Sequence, residues 1–292
     1  MKLDIALPFY GDVAFLKETV ASVLAQTDPN WRLLVVDDGY PDESLPGWFS
    51  GLNDERIIYQ RNENNVGANG NFQKCLKLVT SEYCVVMGAD DLLEPNYVEI
   101  MRITATQYPG LTMCHPSVTV INDVNIEIKT RLDEVKNRIR PKGISPYVVS
   151  GEMLASSLMR GNWMYFPAIM WKTKKIQTIG FRSGLNVCQD IALAIDVIIA
   201  GGNLVMIDNK LFRYRRHSSS DSSVRAFSGE RFVEEAAFFN GMAQEFKKMG
   251  WKIAARAARL HLTSRLHAAT LIVPIIKAKQ NPSALLKHLF IS

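Results

Sequence analysis

The chain has 292 residues, of which 47% are hydrophobic and 22% charged, an ordinary composition for a globular protein. This length allows one large domain with an appendage, or two domains. The four cysteines are far apart and form no CxxC pair, so we expect neither a structural zinc site nor disulfides, and a reducing cytosol fits. No apolar run reaches about 18 residues, and the first residues are too short and interrupted for a signal peptide.

The net charge of +5 is unevenly distributed along the chain. Residues 1–245 hold 25 Lys or Arg and 29 Asp or Glu, whereas residues 246–292 hold nine Lys or Arg and no acid. A basic tail on a slightly acidic body indicates an anionic surface as partner, either lipid or nucleic acid. We favour a membrane surface and expect no nucleic-acid partner.

Strands and helices alternate through the first third of the chain. Apolar runs predict strands at residues 3–7, 31–36, 56–60 and 84–87, and helical spacing predicts helices at residues 13–26 and 72–79. This alternation predicts right-handed βαβ units in an α/β fold with a Rossmann-like, doubly wound, mainly parallel sheet. In such sheets the ligand binds at the carboxyl ends of the strands.

Four polar features fall at that predicted edge: residues 8–10, the pair Asp37-Asp38, the Asn-rich residues 61–71 and the pair Asp90-Asp91. Adjacent carboxylates repel each other unless a positive charge lies beside them. A divalent cation that carries a phosphorylated ligand would supply that charge. The alternative for the second pair is an Asp that caps the next helix. Convergence of four features at one edge favours the ligand.

Five motifs then carry a family resemblance: ALPFY at 6–10, LKETVASVLAQT at 16–27, WRLLVVDDG at 31–39, NVG at 65–67 with Asn71, and MGADD at 87–91. Together they resemble the nucleotide-sugar half of the family 2 (GT-A fold) inverting glycosyltransferases of bacterial polysaccharide and lipopolysaccharide synthesis. The resemblance implies a nucleoside diphosphate sugar donor, most often UDP-linked, and Mg²⁺ or Mn²⁺. It also implies a catalytic domain over residues 1–227, with a donor half (1–115) and an acceptor half (116–227). Residues 228–292 would then form a helical basic extension.

The resemblance places donor-binding roles in the first half of the chain, at Pro8, Tyr10, Asp38, Asn65, Gly67, Asn71, Ala89 and Asp90. Pro8 and Tyr10 would line the base pocket, and Asp38 would bond the base or ribose. The amides of Asn65 and Asn71 would add polar contacts, and Gly67 would let the backbone approach closely. Asp37 is expected only to shape the turn before Gly39.

The family's DxD motif aligns with Gly88-Ala89-Asp90, so its first Asp is replaced by Gly88. The resemblance makes Asp90 the metal ligand, and oxygen ligands suit Mg²⁺ or Mn²⁺. Asp91 either takes up part of the missing role or caps the next helix.

The acceptor half is implied by more distant features. Residues 122–147 are charged and irregular, and they form either a mobile loop over the acceptor side or a solvated excursion. The aromatic segment 160–172 would bring Trp163 and Tyr165 to stack on an acceptor sugar, with core packing as the alternative. Asp190, before the apolar helix 191–200, matches the family's catalytic base, although Gln189 replaces the usual Glu. The alternative for Asp190 is a helix cap.

Arginines and a histidine follow the predicted strand at residues 203–207. The resemblance puts Arg213, Arg215 and Arg216 on a loop that closes over the diphosphate. His217 would be a second metal ligand, or no ligand at all, and residues 218–223 would form a lid.

Residues 232–249 and 251–271 predict two helices before breaks at Pro274 and Pro282. Lys252, Arg256 and Arg259 share one face, which suits an interfacial helix on anionic lipid at the cytoplasmic side of a membrane. Packing on the body or a dimer contact are the alternatives. The acceptor would be a glycan or a polyprenyl-linked sugar.

Two other functions were weighed. A nucleotidyltransferase would need a basic, Gly-rich phosphate loop after the first strand, and residues 8–11 lack one. A catalytically impaired sugar-nucleotide-binding module would account for Gly88 and Gln189.

Overall fold

A nine-stranded mixed sheet organises the computed structural model, which describes residues 1–216, 230–277 and 281–290. Its strands are β1 (Leu3–Phe9), β2 (Trp31–Asp37), β3 (Ile57–Arg61), β4 (Tyr83–Val86), β5 (Leu92–Leu93), β6 (Met113–Ile121), β7 (Tyr147–Ser150), β8 (Met170–Lys172) and β9 (Asn203–Arg215). The strand order is β3-β2-β1-β4-β8-β6-β9-β5, and β7 also pairs with β9.

Helices flank this sheet and continue beyond it. The first six are α1 (Val13–Leu24), α2 (Leu45–Gly51), α3 (Gly67–Leu78), α4 (Tyr97–Gln107), α5 (Arg131–Ile139) and α6 (Gly151–Arg160). The others are α7 (Thr173–Ile179), α8 (Gln189–Ile199), α9 (Glu230–Lys248), α10 (Lys252–Leu260), α11 (Leu262–Lys277) and α12 (Ser283–Phe290).

Strands β1 to β4 are parallel, which confirms the predicted Rossmann-like arrangement. Apolar side chains of β1, β2 and β4 are buried on both faces of the sheet, as parallel sheets covered by helices require, whereas the edge strand β3 is partly exposed. Phe9, Asp37 and Arg61 lie in register, so the loops that follow β1, β2 and β3 leave the sheet at one edge. The polar motifs of the first half therefore lie together.

The second half differs from the sequence prediction in two places. Strand β9 continues to Arg215, so Arg213 and Arg215 belong to a strand and not to a loop. Residues 122–147 were expected to be irregular, but they contain α5. The side chain of Thr130 caps this helix by accepting a hydrogen bond from the main-chain N–H of Asp133.

The predicted C-terminal helices are confirmed, and the first two of them pack into the main hydrophobic core. Phe238, Phe246, Ala254 and Ala258 of α9 and α10 lie in the same buried cluster as α6 and α8. Helices α11 and α12 form a smaller cluster around Phe232. The first two C-terminal helices are therefore continuous with the catalytic core.

The ends of the C-terminal helices differ from the prediction. Helix α11 continues through Pro274, where a break was predicted, and the chain breaks instead at His261, which has φ 26°. The predicted boundary at residues 227/228, His217 and residues 218–223 all lie outside the described residues. Among the described helices, none combines the length and apolar character needed to span a bilayer.

A buried carboxylate fastens the first strand to its neighbours. Asp4 of β1 is fully buried and accepts hydrogen bonds from the Arg32 guanidinium, the main-chain N–H groups of Thr80 and Ser81, and the Ser81 hydroxyl. Burial alone would raise the pKa of Asp4, but these bonds outweigh it and hold the pKa below its ordinary value.

We expect Asp4→Asn to lower the free energy of unfolding by about 3–5 kcal/mol, because the Arg32 guanidinium and two main-chain N–H groups lose their carboxylate acceptor. Urea unfolding at pH 7 measures this loss. Asp54→Asn breaks the more exposed Arg56 pair and should cost about 0–1 kcal/mol. Since the pKa is depressed in the folded state, Asp4 stabilises the protein above its unfolded pKa, and this contribution disappears as pH falls through the folded pKa. Equal losses of unfolding free energy in Asp4→Asn and Asp54→Asn would contradict the stabilising role of the buried Asp4 carboxylate.

Candidate active site

Asp38 anchors the Asn-rich loop at the donor edge of the sheet. Its carboxylate is almost completely buried and accepts hydrogen bonds from Asn62 Nδ2 at 2.7 Å and from the main-chain N–H groups of Val66 and Gly67, both at 2.9 Å. Gly67 has φ +76°, which allows the loop to turn sharply into α3. A direct bond from Asp38 to a base or ribose stays a prediction, and the structure adds this supporting role.

Asn71 supports the same loop from inside. It is 2% exposed, donates to the Val36 carbonyl at 2.8 Å, and accepts from Asn62. Asn71 was predicted to contact the donor, but its side chain is committed to the interior and does not face the open edge. Asn65, by contrast, is exposed, and its side-chain oxygen accepts from the Gly67 N–H.

An aromatic wall lies beside this loop. Tyr10 is 56% exposed, and its ring contacts Tyr40 edge to face at 5.4 Å. Asp37 holds Tyr40 in place through the Tyr40 N–H and also accepts from the Tyr59 hydroxyl. Pro8 is partly buried at the end of β1. An exposed aromatic ring next to polar loops suits a nucleobase, as predicted for Tyr10.

Two carboxylates converge on Gly88 after β4. A Cβ at position 88 would lie 2.7 Å from an oxygen of Asp91 and 2.8 Å from an oxygen of Asp90. Any side chain at position 88 would displace them, so Asp91 stands close to the space that a carboxylate at 88 would need. Burial, followed by the charge of Asp90, raises the pKa of Asp91 well above its ordinary value.

These two oxygen-rich groups can hold a hard divalent cation whose other ligands are phosphate oxygens and water. Within the described ranges no cluster of three or more His, Cys, Asp or Glu could hold a metal ion by itself. Of the predicted ligands, the structure thus places Asp90 and Asp91 together, while His217 lies outside the described residues.

Arg215 holds this acidic turn in place. Its buried guanidinium donates to the Asp90 carbonyl and to Glu18 of α1, both at 2.6 Å, and lies over the Phe15 ring. Its main-chain N–H donates to the Asp91 carboxylate at 2.8 Å. Arg215 was predicted to pair with phosphate, but its guanidinium is fully buried and already bonded.

Alternation along β9 separates the two other predicted arginines. Arg213 donates to the Asn125 carbonyl at 2.8 Å and lies 3.9 Å from Glu94. Arg216, three residues later, pairs with Asp133 of α5 at 2.6 Å. The structure does not bring Arg213 and Arg216 together as one diphosphate clamp, and only Arg216 faces the acceptor half.

Asp190 lies in the first turn of α8, where the apolar sequence begins. Its carboxylate accepts from Asn162 Nδ2 at 3.1 Å and from the main-chain N–H of Ile191. Burial raises the pKa of Asp190, and the Ile191 bond, Lys136 and Asn162 counteract only part of that rise. A carboxylate with a raised pKa is a stronger proton acceptor, as a general base requires.

The charges of both acidic groups act on Tyr214. Its pKa is raised, mainly by burial and then by the charge of Asp91, with smaller contributions from Asp90 and Asp190. Its ring packs on Tyr165 at 5.1 Å, and the Arg216 guanidinium lies 5.6 Å from the ring centre. Tyr214 is thus electrostatically linked both to the acidic turn after β4 and to the carboxylate on α8.

The predicted acceptor-stacking residues are mostly internal. Trp163 is 2% exposed, and its indole N–H donates to the Ser157 hydroxyl, so Trp163 packs in the core and cannot offer its face to a sugar. The hydroxyl of Tyr165 donates to Asp133 at 2.6 Å, and its main-chain N–H donates to His115. Tyr165 lies at the site but is held by these bonds.

Two unsatisfied polar atoms belong to residues next to Asp190. Eight buried side-chain N or O atoms lack a partner in the described residues, among them Asn162 Oδ1, Gln189 Oε1 and, farther along the chain, Arg216 Nε. Buried polar atoms normally have partners, so water or a ligand is expected to bind there. The residues that sequence reasoning missed here are Asp133, Lys136, Asn162 and Tyr214; the only local signal was the Thr130-x-x-Asp133 capping pattern.

The family model for "Glycosyl transferase family 2" matches residues 4–165, more than half of the chain. The chain belongs to glycosyl transferase family 2. It is a glycosyltransferase with a GT-A-type fold, as the motifs predicted.

The sequence relatives of this glycosyltransferase include bacterial surface-polysaccharide enzymes. One is the "UDP-Glc:alpha-D-GlcNAc-diphosphoundecaprenol beta-1,3-glucosyltransferase WfgD" of Escherichia coli, 29% identical over 42% of this chain and 48% of that protein. The chain spans less than half of that relative's length, and it spans 33% of two Rickettsia glycosyltransferases.

Two solved structures share the fold. Staphylococcus aureus TarS 1-349 in complex with UDP-GlcNAc gives a TM-score of 0.70 at 15% identity, over 99% of this chain and 82% of that one. The mannosyltransferase PcManGT of Pyrobaculum calidifontis, in complex with GDP-Man and Mn²⁺, gives 0.64 at 14% identity, over 98% of this chain and 78% of that one.

We expect Asn162→Ala in this glycosyltransferase to raise the pKa of Asp190 further, because the variant loses a bond to the ionised carboxylate. If Asp190 is the general base that the sequence predicts, it acts when deprotonated, so the acid limb of the kcat/KM profile should move to higher pH, by about one unit for one charge-assisted bond. Initial rates between pH 5 and 9 measure the shift. Asn209→Ala, at an exposed position, is the control. An unchanged limb would show that Asn162 does not act on the titrating group.

Proposed function

We propose that the protein transfers a sugar from a nucleoside diphosphate sugar to a glycan or lipid-linked acceptor, with inversion at the anomeric carbon. The observation that carries this proposal is the placement of Asp190. Its carboxylate has a raised pKa, lies among unsatisfied polar atoms, and shares the Tyr214 region with Asp90 and Asp91. Inversion needs a base on one side of the sugar and a leaving group on the other.

The donor would occupy the edge formed by the loops after β1, β2 and β4. Tyr10 and Pro8 would contact the base, while Asn65 and the Gly67 main chain would approach the ribose from the Asp38-anchored loop. Ala89 and Asp90 would lie against the ribose and diphosphate. UDP is the preferred nucleotide, since TarS is found in complex with UDP-GlcNAc and the glucosyltransferase WfgD is named for UDP-Glc.

Asp90, with Asp91, would hold Mg²⁺ or Mn²⁺, and the bound cation would neutralise the departing diphosphate. Arg216 would add a cationic side chain on the acceptor side, and Arg213 would act only through Asn125 and Glu94. His217 remains a proposed second ligand.

On the acceptor side, Asp190 would take the proton of the attacking hydroxyl. Asn162 holds one carboxylate oxygen of Asp190 and offers its own unpaired Oδ1 to a substrate hydroxyl. Tyr165 would border the acceptor, whereas Trp163 supports it from the core. The acceptor class is a polysaccharide or O-antigen precursor. The acceptor named for WfgD is a sugar joined to a polyprenol by a diphosphate.

A membrane surface would present such an acceptor, at the cytoplasmic face. Helix α10 exposes Lys252, Arg256 and Arg259 beside Ile253 (58% exposed) and Leu260 (51%) and buries its alanines. Helix α11 adds a line of exposed apolar residues at helical spacing: Leu262, Leu266, Val273 and Ile276. Cations beside exposed apolar side chains suit an anionic lipid interface.

Asp190→Asn should lower kcat for transfer by about 10²–10⁴-fold, the usual contribution of a general base, while donor binding stays unchanged. Release of UDP from UDP-sugars in the presence of an acceptor extract measures turnover, and calorimetry with UDP measures donor binding. Asp196→Asn, on the same helix but paired with Arg182, is the control and should keep turnover. Intact turnover in Asp190→Asn would refute the base assignment.

Asp90→Asn should raise the Mn²⁺ concentration needed for half-maximal activity by roughly 10–100-fold, because a direct ligand matters at least as much as the partners around it. Activity after EDTA treatment, restored by graded Mn²⁺, gives this value. Glu63→Gln removes the same charge from an exposed loop position and should change nothing. Full activity without any divalent ion would contradict the metal role.

Replacing both Arg256 and Arg259 by Gln in the full chain should weaken binding to phosphatidylglycerol vesicles by roughly 30-fold, at about 1 kcal/mol per cation. Co-sedimentation at 0.1 M salt measures it, with neutral phosphatidylcholine vesicles as a blank. Lys77→Gln with Lys174→Gln removes two exposed charges from the body and is the matched control. Equal losses in the two double variants would exclude a specific role for α10.

A further inference from the structure

A cavity of about 360 Å³ lies between β6 and α5, on the acceptor side of the molecule. Its wall includes His115 and Thr119 of β6, Asp133 and Lys136 of α5, and Arg140, which follows α5. Lys129 and Lys210 stand in the remaining wall, so four of the lining side chains are Lys or Arg, against the three acids Glu127, Asp133 and Glu134. The wall of the cavity therefore holds one more cation than acids.

The acids of the cavity are largely engaged. Asp133 pairs with Arg216 and accepts from Tyr165, and Glu127 lies 4.0 Å from Lys210. Arg140 lies 3.8 Å from Asp208. Lys136, in contrast, has no carboxylate within ion-pair distance among the described residues.

Lys136 has an unusual setting for a cation. Its ammonium lies 4.0 Å from the centre of the Tyr165 ring and 3.5 Å from the Met164 carbonyl. Burial, followed by the Arg216 charge, lowers the pKa of Lys136 to about 8. Arg216 is already paired with Asp133, although its Nε N–H is unsatisfied, whereas Lys136 pairs with no carboxylate of the described residues. An anion beside Lys136 would therefore be stabilised by its charge.

The cavity also adjoins the catalytic carboxylate. Lys136 and Asp190 lie close enough for each charge to shift the pKa of the other. An acceptor that binds with an anionic group at Lys136 can therefore present a nearby hydroxyl to Asp190.

We propose that the cavity between β6 and α5 is a phosphate subsite, in which Lys136 binds a phosphate group attached to the acceptor sugar, while Arg216 pairs with Asp133 of the cavity wall. This inference rests on the proposed function, because it assigns the acceptor's anionic group to that same site. The side chain of Asn137 and the hydroxyl of Thr119 make no hydrogen bond to other described residues and complete the polar lining. The subsite explains why α5 covers the acceptor side.

The test uses the full chain with its donor site filled by UDP and Mg²⁺. N-acetylglucosamine 1-phosphate is the probe, methyl N-acetylglucosaminide is its neutral counterpart, and calorimetry or ligand-observed NMR measures binding. Lys136→Met keeps the aliphatic stem against Tyr165 and should weaken binding of the phosphorylated probe by at least about tenfold, as loss of one charge-assisted bond implies. Binding of the neutral sugar should not change.

Two further variants keep this result interpretable. Lys174→Met, at an exposed position on α7, is the matched control and should bind the probe like the unaltered protein. If Lys136→Met proves unstable, Arg140→Gln at the cavity takes its place, and it should weaken binding of the phosphorylated probe by a smaller factor.

Inorganic phosphate distinguishes the sources of the anion. If it binds as tightly as the sugar phosphate, with the same dependence on Lys136, the site takes free phosphate and the acceptor assignment is wrong. If Lys136→Met weakens UDP binding instead, the cation belongs to the donor diphosphate, and the inference is also wrong. In either case, UDP binding and Asp190-dependent turnover by the unaltered protein would leave the proposed function standing.

Discussion

One buried guanidinium fixes the geometry on which the site depends. A cation with a fully buried side chain is stable only if its donors are satisfied, and Arg215 satisfies them with the Glu18 carboxylate, the Asp90 carbonyl of the acidic turn and the Asp123 carbonyl after β6. Because its own main-chain N–H binds Asp91, the end of β9 is tied to the turn twice. Helix α1, the turn after β4 and strand β9 are thereby held as one unit before any ligand arrives.

Alternation along the same strand gives neighbouring side chains different surroundings. Arg215 donates to Glu18 of α1, and Arg213 donates to the Asn125 carbonyl and lies near Glu94. Tyr214 and Arg216 face the opposite side, where Arg216 pairs with Asp133 and the Tyr214 ring contacts Tyr165. Because side chains two residues apart share a face, one strand supports the acidic turn on one side and contributes to the Tyr165 region on the other.

Features that depend on a local sequence pattern could be predicted, whereas the orientation of individual side chains could not. Strand–helix alternation and compact motifs were sufficient for the parallel part of the sheet and its polar edge, while the role of Asp190 stays a prediction. Asn71 and Trp163 have the residue types that ligand sites use, but only the packed structure shows that they point inward. The cluster around Asp133 was missed for another reason: its partners Tyr165 and Arg216 are 32 and 83 residues away, and within the charged stretch the only sign of a helix was the capping pattern at Thr130 and Asp133. Where side chains point is decided by packing between distant segments, which no short window of sequence contains.

Gly88 has a consequence for how this family member can change. The carboxylates of Asp90 and Asp91 fill the space in which a side chain at 88 would begin. A mutation that restored an acid at 88 alone would therefore have to displace both of the carboxylates that it is meant to assist. Position 88 is thus coupled to positions 90 and 91, and the effect of a substitution at 88 depends on the side chains at both.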